Sequence, residues 1–289
     1  MGDAVVIWGE VLWDRFPDGA QLGGAPANVA WHLAQAGGWA QLVTRVGDDE
    51  DGRLAIDRLA ELVDTDLVQV DPVRATGEVT VRLERGEPRY TLQPGRAWEH
   101  IACTEAVKRA LSQAGVFVFG TLAQRTPDGL REWREAAHAA TRCLRACDVN
   151  LRPMDVLAPS ITEALAVANL VKVNDRELAT LRDWFGWSDP IAMLRERARV
   201  VAVTHGAAGS TLFGETGAIE IAATAAVPGG DNVGCGDAYL AILVHGLTSG
   251  WDLAASGRAA SRWSAAVAGV RGATPTFSDE QIADLLELG

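Results

Sequence analysis

Short, continuously apolar runs closed by turn residues recur along the chain and alternate with helix-length segments. Residues 4–9, Ala-Val-Val-Ile-Trp-Gly, are apolar throughout rather than every second residue, which suits a strand buried on both faces. Further short strands are expected at 41–45, 66–70, 116–120, 144–148, 168–173 and 200–204. Helical segments are expected from Pro26 to Gly37-Gly38, after Gly52, over 127–141, from Asn174 onward, over about 235–249 and 252–270, and near 279–287. Strands alternating with helices imply an α/β fold with a mostly parallel sheet and ligands at the carboxyl ends of its strands. The 289 residues show no repeat, linker or low-complexity stretch, and read as one domain over 1–289.

Two segments break this rhythm. Glu10 to Ala20 carries polar and turn residues and leaves the core sheet. Between Asp71 and His100, Val79, Val81 and Leu83 alternate with polar residues, Arg85-Gly86-Glu87-Pro88 makes a turn, and Arg89–Leu92 returns. A small antiparallel flap, covering a site or pairing with another subunit, is the natural interpretation.

The polar residues gather at expected strand ends: Asn150 and Arg152, Asn174 and Glu177, Thr204 and Gly206. A last cluster is Asp231-Asn232-Val233-Gly234-Cys235-Gly236-Asp237, followed by an apolar run of helical length. If a helix starts near Cys235, its free N–H groups form an anion site, and Asp237 stands beside the anion. A carboxylate there suits a base that takes a proton from a hydroxyl attacking phosphorus. The same residues also read as a plain turn and helix cap. Likewise Asn174 and Glu177 could hold a hydrated Mg²⁺ or could be a capping box. Gly23-Gly24 before Pro26 exceeds what a cap needs, so a ligand approaching that backbone, with Asn28 in the same cleft, is the preferred reading. His32, on the same helix, reads as structural. The acidic run 47–52 lacks the alternating spacing of a calcium loop.

The net charge of −12 disfavours nucleic acid, whose phosphates want a basic stripe. Nearly all the basic residues are Arg; Lys108 and Lys172 are the lysines. No apolar run approaches the ~20 residues of a membrane span. The N-terminus is too short and acidic for a signal peptide, and Cys103, Cys143, Cys147 and Cys235 show neither zinc nor disulfide spacing, so a cytoplasmic protein is expected.

Together these residues resemble the ribokinase-like (PfkB) carbohydrate kinases, and among them the bacterial fructokinases. Gly23–Ala30 with Val46-Gly47-Asp48-Asp49 resembles the family's N-terminal signature, and Asp231–Asp237 its C-terminal one, in the same order and separation. Gly9–Asp14, Ala25-Pro26 and Asp148–Arg152 are similar to fructokinases in particular. The resemblance implies a three-layer α/β/α sandwich with a small β lid built from about 11–20 and 72–100. It implies ATP-dependent phosphorylation of a sugar, most simply D-fructose to fructose 6-phosphate. Alternatives are another sugar, sugar acid or polyol as acceptor, or a weakly catalytic sensor.

The resemblance also implies residue roles. Asp237 is the base, and the N–H groups of Gly234, Cys235 and Gly236 form the anion hole. Asp14, Gly24, Asn28, Asn150 and Arg152 hold the sugar. Asn174, Thr204, Gly206 and Gly209 line the nucleotide site. Glu177 places Mg²⁺ through water, and a K⁺-type ion lies near Asp231, Val233, Gly272 and Thr276. A homodimer through the lid is implied as well. The sequence departs from the family at Asn232 (usually Thr), Cys235 (usually Ala), Ser261 (often Asn) and Pro94, where fructokinases tend to carry an arginine.

Overall fold

The computed structural model describes residues 3–17, 19–84, 87–151 and 158–287. In chain order the strands are β1 (Val5–Trp8), β2 (Leu12–Phe16), β3 (Gly19–Gly23), β4 (Ala40–Gly47), β5 (Val68–Asp71), β6 (Gly77–Glu84), β7 (Glu87–Leu92), β8 (Val116–Phe119), β9 (Leu144–Asp148), β10 (Leu170–Asn174), β11 (Val200–Thr204), β12 (Ser210–Gly214) and β13 (Gly217–Ile221). The helices are α1 (Ala25–Gln35), α2 (Glu50–Leu59), α3 (Glu105–Gln113), α4 (Pro127–Ala139), α5 (Ala158–Val167), α6 (Asp175–Phe185), α7 (Pro190–Arg195), α8 (Cys235–Thr248), α9 (Leu253–Ala268) and α10 (Asp279–Leu286).

The large sheet has the order β13-β12-β11-β10-β9-β8-β1-β4-β5. It is parallel from β11 to β5, and β12 and β13 add an antiparallel edge. Successive side chains of a strand point to opposite faces. Val5 and Ile7 of β1 accordingly join the core under α1, α2, α8 and α9. Val6 and Trp8 join the core under α3 to α7 on the other face. This is the α/β/α sandwich that the family resemblance implies, around the mostly parallel sheet that alternating strands and helices predict. Trp8, Trp31, Trp98, Trp133 and Trp263 are among the fully buried side chains, and truncating any one to Ala costs about 3–5 kcal/mol at such sites.

Local chemistry sets the helix starts. Asp49 accepts from the Gly52 N–H at 2.8 Å, and Thr126 from the Gly129 N–H at 3.0 Å with Pro127 at the first helical position. The second sheet, β3-β2-β6-β7, pairs β2 with β6 in parallel across about sixty residues of chain. Leu12, Phe16, Val79 and Leu92 form a small apolar cluster on this sheet. Trp98 and Ile101, beyond the hairpin, are buried in the main core instead.

Candidate active site

The start of α8 places the central motif. Gly234 sits at the helix N-cap with φ 76°, and no side chain caps the first turn. Its left-handed backbone is glycine territory, and a Cβ there would stand 2.8 Å from Ala273. The N–H groups of the first turn have no partner within a helix by construction. Asp237 lies in that turn, buried to 9% exposure.

Asn28 meets it from the other half of the chain. Its Nδ2 donates to Asp237 Oδ2 at 2.8 Å, while its Oδ1 is buried without a hydrogen-bond partner. Asn28 is carried by the first turn of α1, whose N-cap Gly24 has φ 106°. A Cβ at Gly24 would collide with the Glu10 carbonyl at 2.3 Å. Gly24 is thus required by a close approach of two backbones beside Asn28. Asp14 stands on β2, its Oδ2 filling the space where a Cβ of Gly23 would lie, 2.5 Å away.

The loop that follows α9 closes the back of this site. His32 Nδ1 accepts from the Trp263 indole N–H at 3.1 Å, so its Nε2 carries the proton and donates to the Ala273 carbonyl at 2.8 Å. Burial pushes His32 down to about 4, despite the favourable bond to Ala273, which keeps the ring neutral. Trp31 and Gln35 donate to the Pro275 carbonyl. Asp231 accepts from the Val233 N–H at 3.0 Å and the Gly272 N–H at 3.1 Å, which ties this loop to the motif. Thr276 lies farther along the same loop, exposed.

Neighbouring strand ends carry the remaining candidates. Asn174 and Thr204 are register partners at the ends of β10 and β11. Asn174 accepts from the Glu177 N–H at 3.0 Å and Glu177 Oε2 accepts from the Asn174 N–H at 2.9 Å, a complete capping box. Glu177 Oε1 also accepts from the Leu151 N–H at 3.0 Å, so this carboxylate links two strand-end loops. Burial, then the nearby Asp148, raises its pKa against the pull of Lys172. Gly206 (φ 57°) and Gly209 (φ 102°) shape the turn after β11, where the His205 N–H donates to the Gly209 carbonyl at 2.8 Å. Asn150 has φ 36°, the positive-φ non-glycine among the described residues. Arg152 lies outside the described residues.

The structure therefore joins Asn28 to Asp237, Asn174 to Glu177, and Asp231 to Val233 and Gly272. One buried group in this neighbourhood is absent from the sequence-derived set: Lys172, which donates to both oxygens of Asp148 at 2.8 and 2.9 Å. Its signal in the sequence is a lone charge inside the apolar run of β10, which the sheet register sets opposite Asp148 in β9.

As a metal site the donor set is sparse. No group of three or more Asp, Glu, His or Cys side chains that could hold an ion occurs among the described residues. Both Glu177 oxygens already accept backbone N–H groups, and each has a further lone pair. That fits an ion kept hydrated and held through its water, the usual habit of Mg²⁺ beside phosphates.

Residues 19–280 match the family described as pfkB family carbohydrate kinase. The chain is 29% identical over 272 residues to a fructokinase of Klebsiella pneumoniae, covering 86% of each. It is 30% identical over 281 residues to a fructokinase of Escherichia coli, again covering 86% of each. In three dimensions it resembles the fructokinase of Xylella fastidiosa solved with bound ATP, with a TM-score of 0.88 and 23% identity over 99% of this chain and 98% of the other.

Proposed function

This chain belongs to the pfkB family of carbohydrate kinases and is a phosphotransferase acting on a sugar; we propose that its donor is ATP and its acceptor D-fructose, giving fructose 6-phosphate. The fructokinase relatives support the acceptor, and the ATP-bound neighbour supports the donor. The observation that carries the reading is the buried Asn28–Asp237 pair at the open start of α8.

In this reading a sugar hydroxyl lies against Asp237 and attacks the γ-phosphorus in line. Asp237 takes the proton as the new O–P bond forms and the bond from the γ-phosphorus to the β–γ bridging oxygen breaks, releasing ADP. Asn28 steers the carboxylate with its N–H and takes a second sugar hydroxyl on its free Oδ1, which satisfies an acceptor that is otherwise buried unpaired. The N–H groups of Gly234, Cys235 and Gly236 face the equatorial oxygens of the transferring group, where charge stabilisation rather than covalent chemistry lowers the barrier. Asp14, Gly24, Asn150 and Arg152 hold the rest of the sugar. Asn174, Thr204, Gly206 and Gly209 receive the nucleotide. Mg²⁺ bound with the triphosphate would neutralise part of its charge, and Glu177 would hold it through water. Asp231, Val233, Gly272 and Thr276 would be the residues to hold a K⁺-type ion. The β2-β3-β6-β7 sheet serves as the lid that excludes water, and as the face through which two copies pair.

Pro94 stands where fructokinases tend to carry a lid arginine, and the guanidinium of Arg96 lies 4.0 Å from Glu78. The acceptor is therefore the finer point to test. A coupled ADP-release assay with fructose, ribose, mannose and 2-keto-3-deoxygluconate should show Mg²⁺-dependent turnover with the highest kcat/KM on fructose. A higher kcat/KM on any other acceptor would overturn the fructose assignment. Asn28→Ala should raise the sugar KM by ~10-fold or more, the scale for leaving polar partners unpaired, with a smaller change in the ATP KM. The reverse ranking would remove Asn28 from the sugar site.

A further inference from the structure

Lys172 is a buried charge close to the site that this reading leaves without a task. It lies on β10 directly opposite Asp148 in the register with β9, and its side chain is 7% exposed. Burial alone would favour the neutral amine, but the carboxylates of Asp148, Glu177 and Asp237 outweigh it and hold the pKa above the ordinary lysine value. The group is an ammonium at neutral pH.

A second observation fixes where that charge stands. A Cβ placed on Gly236 would lie 3.0 Å from Lys172 Nζ and 3.5 Å from its Cε. The ammonium occupies the space that a side chain at 236 would need, against the first turn of α8. A side chain at 236 would therefore crowd the ammonium. Lys172 bonds Asp148 on β9 and also feels the charges of Glu177 on α6 and Asp237 on α8.

We propose that Lys172 is a positioning residue for phosphoryl transfer: set against Gly236, its ammonium holds the first turn of α8 in place and adds positive potential where the transferring group gathers charge. This rests on the phosphoryl-transfer reading above. In a water-poor interior a unit charge a few ångströms away acts far more strongly than in bulk solvent, and it is present before the reaction begins. It strengthens the anion hole without touching the substrate.

The test uses the full-length enzyme with ATP and the acceptor it turns over best. Lys172→Met leaves Asp148 buried without its partner and lowers the melting temperature. Lys172→Met/Asp148→Asn removes both charges and should recover that stability. Both variants should show kcat lowered by ~10²-fold, as for loss of a transition-state donor, with both KM values within about threefold of wild type. Recovery of kcat together with stability in the double variant would overturn the proposal, because neutralising Asp148 would then be the lysine's whole role. Unchanged kcat in a folded single variant, or losses confined to KM, would overturn it as well. A wild-type enzyme inactive on every acceptor would overturn the kinase reading itself, a result distinct from an active wild type with an equally active variant.

Discussion

Asp237→Asn should lower kcat by ~10²-fold or more while ATP binding changes little, the scale expected when a general base is lost. The substitution is nearly isosteric, and its carbonyl oxygen can still accept from Asn28 Nδ2, so the 2.8 Å link between α1 and α8 is preserved. Asn is also tolerated in a helix first turn. What disappears is the capacity to accept the hydroxyl proton. Steady-state kcat from ADP release and an ATP Kd from calorimetry separate the two effects. A variant with undiminished kcat would refute the base assignment; one with lost ATP binding would place Asp237 in the nucleotide site.

The second large effect is expected from Gly234→Ala. A non-glycine residue in the left-handed region costs about 1–2 kcal/mol, and the added Cβ would stand 2.8 Å from the Cα, Cβ and carbonyl oxygen of Ala273. One of the two segments must move. The loop bearing Ala273 is held by His32, Trp31, Gln35 and Asp231. Displacement therefore falls largely on the Gly234–Gly236 turn, where the anion hole is placed. The expected result is a kcat reduced by ~10²–10³-fold, as for a lost oxyanion donor, with a melting temperature several degrees lower. Wild-type kcat with an unchanged melting temperature would show that this turn does not stabilise the transferring group.

The sequence displays the features behind these two effects unevenly. The parallel strands were legible because strands such as Val5–Trp8 and Val116–Phe119 are apolar on both faces, which only a sheet covered on both sides demands. The start of α8 was legible because glycine and a first-turn carboxylate leave few other local structures. The pairing inside the second sheet was less so. Trp13, Asp14, Arg15 and Gln21 mix polar and half-exposed positions, and the partner of β2 lies far down the chain in β6. Nothing local specifies that pairing. Helices α3 and α5 were not anticipated, although Thr104 caps α3 in the ordinary way. Asn174 and Glu177 suit both a cap and an ion site; the structure forms the cap in full, and the two uses share the same atoms. Lys172 is not legible in the sequence, because one charge in an apolar run looks like an irregularity until the β9–β10 register sets Asp148 across from it.

The most direct test of the central claim is ³¹P NMR of the reaction of the purified protein with ATP, Mg²⁺ and fructose. A phosphate-monoester signal coupled to the two C6 protons should grow in step with ADP and be absent with Asp237→Asn. Inorganic phosphate appearing in place of the ester, or ATP left intact while still bound, would contradict it.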